Sequence, residues 1–429
     1  MSVSDPTQLA RNDAPAVTAD VPRTVGESYN SYWRHVRSGE IGSLPAVIAI
    51  IVLFVFFAVA QSGFASMSNV DSIINEGAPT IFLAMGLVFV LLLGEIDLSA
   101  GVVGSSAACL GAVLSVKHGV AWPLAILGAA AFGAVAGTVL GWLRARIGIP
   151  SFVVTLAAFI AFQGVQILVL GSNTGVLSIT DKTLLNLDNG RMSPTLGWVF
   201  MVAFVALYAV VKFIQRAGRV RGGLQVEPLA LPLIRIGALL AGGAVAVYLF
   251  NKDQALPFQA REGLHIWGVP YIVIVIIAFL AVLGFVLGKT RYGRHVYAVG
   301  GSDEAARRAG IPVVMVRLSV FVICSTLAGF SGIVLASQNN GVSTQQGGGN
   351  TLLLAVAAAV IGGTSLMGGR GRIIDAVLGG VALAILQNGM SDLIKSGNSA
   401  AWKLIVEGIV LLLAAAVDAL SRRSGRTSS

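Results

Sequence analysis

Two carboxylates lie inside an apolar stretch and are the first residues in this chain that could do chemistry. The sequence LLLGEIDLSAG places Glu95 and Asp97 between two apolar segments. A charged side chain within reach of a hydrocarbon core is costly, and it usually binds an ion, a proton or a substrate there. Because Gly94 and Gly101 flank the pair, we predict that the helix is broken at this point, and broken helices often shape such sites.

The same residues also have a purely structural interpretation. Asp97 or Ser99 could cap a helix that starts at Leu98, because a side-chain oxygen there accepts a hydrogen bond from a free backbone N–H. A carboxylate at this place also faces the positive end of the helix dipole. On this interpretation Glu95 and Asp97 only mark a turn between two helices, and the sequence leaves both interpretations open.

A second charged stretch, SDEAARRAG, interrupts the apolar sequence further along the chain. We predict one short helix, because Ser302 or Asp303 can cap its start and Gly310 can close its end. Pro312 then begins the next apolar segment. At about 1.5 Å per residue the helix is about 12 Å long, which is too short to span a membrane. It could bind in a groove on another protein, or it could be a solvated helix whose arginines face lipid headgroups.

Two other candidate motifs, one for phosphate and one for metal binding, lack the residue spacing that they require. The stretch GFVLGKT resembles a phosphate-binding loop, but Gly284 precedes Gly288 by four residues where the motif requires five. The four histidines do not have metal-ligand spacing, since they are scattered over loops and tails: His35, His118, His265 and His295. We therefore expect no nucleotide site, no metal site and no bond-making chemistry in this chain.

The elements that must position these residues are membrane helices. Of the 429 residues, 55% are hydrophobic and only 11% are charged, and the mean hydropathy is +0.83. A soluble domain cannot bury that much apolar surface, and many runs approach the roughly 20 apolar residues of a membrane-spanning helix. A transmembrane β-barrel would need alternating polarity, which VIAIIVLFVFFAVA lacks. The sequence therefore predicts an all-α, polytopic membrane protein.

Twelve apolar segments are candidate spans, and because several are short enough to be half-spans we predict ten to twelve membrane helices. The segments cover residues 44–60, 78–93, 98–116, 121–143, 149–170, 196–214, 230–250, 266–288, 314–337, 351–366, 373–388 and 404–420. The polar stretch at 1–43 is predicted to be a disordered cytoplasmic tail, and residues 421–429 are predicted to form a second cytoplasmic tail. Between the spans lie a basic linker at 215–229 and a charged loop at 289–312.

Basic residues predict how these spans are oriented. The two termini and alternate loops together hold 20 of the 29 Lys and Arg residues, whereas the other loops hold 7. Arg235 and Arg317 lie just inside span ends. Because cytoplasmic loops are enriched in Lys and Arg, both termini and the charged loop are predicted to be cytoplasmic. The same bias accounts for the net charge of +9, so we expect no nucleic-acid partner.

Four motifs in register resemble one family. EAARRAG fits the Glu-Ala-Ala, three residues, Gly pattern of the coupling loop of ABC importer permeases, and GEIDLSAGVVGSSA matches a signature of their ribose/xylose-type branch. IPSFVVTLAAFIAFQG and AAAVIGGTSLMGGRG match that branch in order and spacing. Over most of residues 44–420 the chain therefore resembles the permease subunits of ribose/xylose-type sugar ABC importers.

This resemblance implies a role for both charged stretches. In the family the coupling loop docks on an ATPase subunit and passes its closure to the membrane helices. The residues that would carry this coupling here are Gly300, Gly301, Glu304, Ala305, Ala306, Arg307 and Gly310. The signature residues of the pore domain would be Glu95, Asp97, Ser99, Gly101, Gly362, Gly363 and Thr364.

The resemblance also implies partners and a cargo. A separate ATPase subunit would bind ATP and Mg, an extracytoplasmic binding protein would deliver the sugar, and a second permease copy would complete the pathway in the bacterial plasma membrane. The segment 230–250 resembles an extra segment of xylose-type members, which indicates a pentose such as xylose. The competing hypotheses are an ion-driven secondary transporter that uses Glu95 and Asp97 as its ion site, and a membrane scaffold without transport.

Two further features concern the pore. VIGGTSLMGGRGRIID follows TLLLAVAAA much as Glu95 follows TIFLAMGLVF, at an offset of about 271 residues, which predicts a weak two-half internal repeat. Family members usually carry acidic residues before this Ala-rich run, whereas this chain has Leu352 and Leu354, a departure that bears on the substrate. The polar loop SQNNGVSTQQGGGN just before it is predicted to line the external mouth.

Overall fold

A computed structural model describes residues 26–27, 43–171, 175–224, 226–255, 261–262, 265–393 and 399–426. Helices dominate this part of the chain. Those of the first half are α1 (Leu44–Ala60), α2 (Met67–Leu92), α3 (Ala100–Val116), α4 (Trp122–Trp142), α5 (Ser151–Leu170), α6 (Lys182–Asn189) and α7 (Pro194–Arg221). Those of the second half are α8 (Ala230–Phe250), α9 (Tyr271–Lys289), α10 (Arg291–Gly301), α11 (Asp303–Arg308), α12 (Val313–Gln338), α13 (Gly349–Gly362), α14 (Ile373–Leu393) and α15 (Ser399–Arg426). A π-helical turn, Leu143–Ile147, follows α4, and the two strands are β1 (Val176–Ser178) and β2 (Gly341–Ser343).

Each apolar segment predicted from the sequence coincides with one of these helices. Within the described residues, eight helices are long and apolar enough to cross a membrane: α2, α4 with its π-helical turn, α5, α7, α8, α9, α12 and α14. The helices α1, α3 and α13 are apolar but shorter, as expected of half-spans, and α15 covers the last predicted segment. The all-α, polytopic class is thus confirmed.

The described residues form two compact units. One comprises Leu196–Tyr248, and the other comprises the described residues within 43–195 and 249–426. Within the first unit the helix α7 continues to residue 221, so it covers the first part of the linker predicted at 215–229.

The predicted terminal tails are mostly beyond what the structure covers. The tail at 1–43 lies outside the described residues except for residues 26–27 and 43. At the other end α15 continues as a helix to residue 426, and residues 427–429 of the tail predicted at 421–429 are not described.

The core of the larger unit is built on two long antiparallel helices, α2 and α12. Pro79 lies inside α2 and has no N–H to donate to the carbonyl of Asn75, one turn earlier. Gln338 of α12 supplies the missing donor, since its Nε2 donates to Asn75 O at 2.7 Å. Ser331 of α12 also donates to Pro79 O at 2.7 Å. A buried proline is tolerated in α2 because the neighbouring helix satisfies the backbone group that the proline frees.

Glycines bring the backbone of α4 against α12. Gly133, Gly137 and Gly141 are four residues apart and therefore lie on one face of α4. A Cβ added at these positions would lie 2.3, 2.4 and 2.9 Å, respectively, from carbonyl oxygens of α12. Small residues let membrane helices approach closely and gain packing energy from the contact of their backbones. The helix α12 is therefore held firmly along this face.

Two short helices, α3 and α13, begin beside each other within the bundle. A Cβ added to Gly101, in the first turn of α3, would lie 2.9 Å from Gly347 O and 3.5 Å from the backbone nitrogen of Leu352 in α13. Each short helix follows a long one, after connections at 93–99 and 339–348 that contain no helix.

The directions of these helices are those of an inverted repeat. Glycine contacts place α2 antiparallel to α12 and to α14, α13 antiparallel to α14, and α3 parallel to α12. The helices α3 and α13 therefore run in opposite directions. The sequence offset of about 271 residues instead aligns α2 with α13 and α3 with α14, which run in the same direction. The backbone directions therefore favour a different register for the two halves.

The polar loop before α13 packs against the bundle. Its start, β2, pairs antiparallel with β1, with Leu177 opposite Val342. Further along, Gln166 of α5 donates from Nε2 to Gln346 O at 3.1 Å, and Gly347 is buried against Ser105 of α3. The sequence predicted that this loop lines the external mouth. Its residues 346 and 347 lie between α3 and α5.

Candidate coupling site

The charged stretch forms the short helix that the sequence predicts. Ser302 caps α11, since its Oγ accepts the N–H of Ala305 at 3.3 Å. Gly310 has φ +77°, in the left-handed region that favours glycine, and so ends the segment with a sharp turn. Of the six residues of α11, Ala306 is buried at 3% exposure, while Glu304 and the residues at 305, 307 and 308 are exposed. The helix thus packs on the bundle through Ala306 and presents Glu304 and the charged residues at 307 and 308 outward.

The preceding helix α10 is attached to the bundle by two tyrosines. Thr290 caps α10 by accepting the N–H of Gly293 at 3.2 Å. The Tyr292 hydroxyl lies 2.9 Å from Ser319 Oγ of α12, and the Tyr297 hydroxyl donates to Gly371 O at 2.7 Å. Because both anchors are on α10, the end of α10 next to α11 has a fixed position.

A chain of ion pairs connects α11 with the break between α2 and α3. Arg317, in the second turn of α12, places its guanidinium 2.5 Å from Asp303 Oδ2 and its Nε 3.0 Å from Glu95 Oε1. Arg144, on the π-helical turn after α4, donates from Nε to both oxygens of Glu95 at 2.8 and 2.9 Å. The two arginines and the two carboxylates balance one another's charge. An unpaired charge buried at the same place would carry a large desolvation cost.

Three backbone segments meet at glycine residues beside these ion pairs. A Cβ on Gly300, at the end of α10, would lie 1.9 Å from Leu92 O at the end of α2. Gly369 donates its N–H to the same carbonyl at 2.8 Å. Gly94 and Gly368 have φ +69° and +84°, and a Cβ on Gly368 would lie 2.9 Å from the nitrogen of Gly94. We name Gly94, Gly300, Gly368 and Gly369 the glycine junction; only glycine permits this approach of three backbones. Gly301, the next residue, has open space around it.

Asp97 has a different environment from Glu95. Its Oδ1 accepts the N–H of Ser99 at 2.9 Å and the Ser99 hydroxyl at 2.6 Å, which stabilises the turn that leads into α3. Asp97 and Ser99 are both fully buried. The capping prediction is wrong in its detail, because α3 starts at Ala100 rather than at Leu98 and the Ser99 side chain makes no capping hydrogen bond to it. Asp97 instead stabilises the turn before α3, whereas Glu95 belongs to the ion pairs.

The other signature residues lie at the end of α13. A Cβ on Gly362 would lie 1.8 Å from Asp375 O, so Gly362 lets α13 and α14 touch. Gly363 has φ +120° and ends α13. Thr364 is 1% exposed and packs against Gly371. The loop that follows contributes Gly368 and Gly369 to the glycine junction, so this loop meets the segment that contains Glu95, whereas Gly101 lies against the start of α13.

Comparisons with known proteins identify the family. The family model described as "Branched-chain amino acid transport system / permease component" matches residues 69–415. This chain belongs to that permease family. The chain is 33% identical over 379 residues to the xylose transport system permease protein XylH of Haemophilus influenzae, covering 88% of this chain and 96% of that protein. It is 34% identical over 422 residues to the protein of the same name from Escherichia coli, covering 97% and 100%.

A ribose transporter is a further relative. The ribose import permease protein RbsC of Escherichia coli is 28% identical over 387 residues, covering 90% of this chain and 96% of that protein. The comparison with solved structures finds no significant match. The relatives are transport permeases rather than enzymes, and this chain is a multi-pass permease of the bacterial inner membrane.

The opposite end of the permease contains a second polar cluster. Arg191, after α6, binds both oxygens of Asp71 at the start of α2, each at 2.5 Å. Asp188 of α6 is fully buried, and its N–H donates to Ser337 Oγ at 3.1 Å. Burial raises the pKa of the Asp188 carboxyl to about 7, and the negative charge of Asp71 adds to this effect. This carboxyl therefore keeps its proton to a higher pH than an ordinary aspartate does.

Sequence reasoning found the two charged stretches of the site but missed what joins them. Arg144 was counted only as a basic loop residue, and Arg317 only as a residue just inside a span. The signal that could have found Arg317 is its position, since an arginine in the second turn of an apolar helix needs a carboxylate partner. Among the described residues no group of three His, Cys, Asp or Glu side chains is placed to bind a metal ion.

Proposed function

We propose that this permease is the membrane subunit of an ATP-binding-cassette importer for a monosaccharide, a pentose such as xylose. The observation that carries the proposal is the similarity to permeases named for xylose transport, at 34% identity over 97% of this chain and the whole of the relative. A ribose permease is also similar over 90% of the chain. Xylose and ribose are both pentoses, so a pentose is the substrate class that the two sets of relatives share.

The ATPase partner would dock on the exposed face of α11. A helix that is capped at its start, ends at a glycine and rests on one buried alanine fits a shallow groove on another protein. Ala305 permits close approach, and Glu304 and Arg307 provide charges that fix the register of docking. ATP and Mg would be bound by that partner, and its closure would displace α11.

The remaining partners follow from the same family. A second copy of the permease would complete the pathway, and an extracytoplasmic binding protein would deliver the sugar to the face opposite α11. The bias of Lys and Arg supports a cytoplasmic location for α11 and for both termini. The pore signature, including Gly101 and Thr364, would shape the pathway rather than select the sugar.

The geometry of Glu95 speaks against an ion-driven secondary transporter. Both of its oxygens accept hydrogen bonds from Arg144, and Arg317 lies against one of them. The two arginines balance the charge of this carboxylate, so a sodium ion would have to displace one of them, and the role that fits Glu95 is structural or conformational.

Capture of an ATPase tests the docking proposal. Wild-type permease purified from its native membranes is expected to bring down an ATPase subunit, identified by mass spectrometry, and the variant Glu304→Arg/Gly310→Arg is expected to lose it. Lys182→Glu, an exposed charge reversal on α6, serves as the matched control and should retain the partner. A well-folded wild type that captures no ATPase contradicts the importer proposal.

Uptake into proteoliposomes tests the substrate. Permease, ATPase and binding protein are reconstituted together, and uptake of radiolabelled xylose, ribose and leucine is measured with and without ATP. ATP-dependent uptake of a pentose supports the proposal. Uptake of leucine alone would instead place the permease with amino-acid carriers, as the family description allows.

A further inference from the structure

The ion pairs connect α11 with the break between the helices α2 and α3, at residues 93–99. The proposed function requires these two parts of the permease to move together. Asp303 begins α11, Glu95 lies in the break between α2 and α3, and Arg317 stands between them. The side chains of Arg317 and Glu95 are 10% and 6% exposed, whereas that of Asp303 is 41% exposed. The connection therefore runs from the surface of the protein into its interior.

Besides this ion pair, α11 packs on the bundle through Ala306. The residue before it, Ser302, is extended, and Gly310 after it is left-handed, so the chain changes direction at both ends of α11. Its other acid, Glu304, pairs with Arg308 on the same helix, and both of these side chains are more than three-quarters exposed. Asp303 is thus the acid of α11 that is directed at the bundle, and its ion pair with Arg317 joins α11 to α12.

Arg317 stands on a helix that resists bending. The backbone of α12 touches the glycines of α4 on one side, and on another a Cβ added to Gly104 of α3 would lie 2.4 Å from Ala328 O. A displaced Asp303 will therefore move the guanidinium of Arg317 more easily than it bends α12. Glu95 is held from its other side by Arg144, on the π-helical turn that follows α4.

We propose that Arg317 is a positioning residue that couples α11 to residues 93–99, the segment between the helices α2 and α3. When a partner displaces α11, the Asp303–Arg317 pair changes the hold of Arg317 on Glu95 and so reshapes the segment that leads into α3. This inference rests on the proposed function for the source of the force on α11. The link itself is a property of this chain and can be measured without a partner.

The first experiment separates coupling from docking. Proteoliposomes containing the permease, its ATPase and its binding protein are assayed for ATP hydrolysis and for sugar uptake in parallel. Asp303→Asn is expected to retain the ATPase and its hydrolysis but to import roughly 2- to 30-fold less sugar per ATP, the range by which single residues change coupling. Asp303→Glu should restore the ratio, because it keeps the charge that faces Arg317.

The matched control is Asp253→Asn. Asp253 forms an exposed pair with His265, and its side chain is 39% exposed, close to the value for Asp303. The control should keep the wild-type ratio of sugar to ATP. Parallel loss of hydrolysis and uptake in Asp303→Asn, or an unchanged ratio, would overturn the proposal.

The second experiment decides the link even if no transport is seen. Amide hydrogen exchange of residues 93–99 is measured in the purified permease alone. We expect faster exchange in Asp303→Asn than in wild type or in Asp253→Asn, and Arg317→Gln should show the same change if it folds. Unchanged exchange in a folded Asp303→Asn overturns the link. A wild type that imports no sugar with its ATPase contradicts the proposed function and leaves the exchange result to stand on its own.

Discussion

Replacing Gly137 by alanine puts a methyl group into the contact between α4 and α12. The added Cβ would lie 2.4 Å from Phe321 O, 2.7 Å from Val322 Cα and 2.9 Å from Phe321 C. These are backbone atoms of α12, so no side chain can rotate away to make room. Since carbon atoms in favourable contact are about 3.5–4.0 Å apart, α4 must move away from α12 by about 1 Å.

The size of the effect follows from two opposing terms. Overpacking a close contact costs about 1–3 kcal/mol, because backbones must shift and neighbouring contacts open. Alanine is a better helix former than glycine, and this preference returns at most about 1 kcal/mol. Gly133 and Gly141 lie on the same face, so a displaced α4 also loses their contacts. We therefore expect Gly137→Ala to destabilise the permease by about 1–2 kcal/mol.

Thermal unfolding in detergent, followed by size-exclusion chromatography with fluorescence detection, provides the measurement. The control is Gly164→Ala on α5, where an added Cβ meets no atom within 4 Å. We expect Gly137→Ala to unfold at a lower temperature than wild type and Gly164→Ala to unfold at the same or a higher temperature. If the two variants are equally stable, the close approach of α4 to α12 is not what holds these helices together.

Two further predictions concern stability. Gln338→Ala should destabilise the folded permease by about 1–3 kcal/mol, because it leaves Asn75 O without a donor. Adding Pro79→Ala should recover part of this loss, because it restores a backbone N–H to that carbonyl. A double-variant cycle of thermal unfolding measures the two effects, and additive losses would refute the explanation. The raised pKa of Asp188, about 7 against 3.8, means that the folded permease binds a proton that the unfolded chain releases. Its contribution to stability is complete below about pH 4 and is lost as the pH rises to about 7, by up to about 4 kcal/mol in all. Unfolding temperatures between pH 5 and 8 should therefore fall with pH in wild type and fall less in Asp188→Asn; equal slopes would show that Asp188 is not the group responsible.

The structure suggests why the two charged stretches belong to one site. Glu95 and Asp303 are far apart in the sequence, yet Arg317 contacts both. The glycine junction beside them brings together the ends of α2 and α10 and the loop after α13. A displacement at α11 therefore has a short path to both broken helices, which is the property that an importer driven from its surface requires.

Sequence patterns were sufficient for the apolar helices and for the family, but they did not predict α6 or α10. Runs of apolar residues with lengths near that of a bilayer core predicted all twelve segments that appear as helices, because a chain in lipid must satisfy its backbone hydrogen bonds internally. The caps at Ser302 and Gly310 predicted α11, because capping depends on neighbouring residues alone. Four motifs in register predicted the permease family that the comparisons establish.

The partners of Glu95 required the tertiary structure. From the sequence Glu95 could be an ion ligand or part of a cytoplasmic turn, and nothing near it identifies Arg144 and Arg317 as its partners. The register of the repeat was also undecided, since small apolar residues align almost equally well at many offsets. Local patterns report on neighbours along the chain, whereas these contacts depend on which helix faces pack together. In this permease the glycine contacts of α4 with α12 and the hydrogen bonds around the proline of α2 hold these faces together. This packing brings two arginines to the same carboxylate.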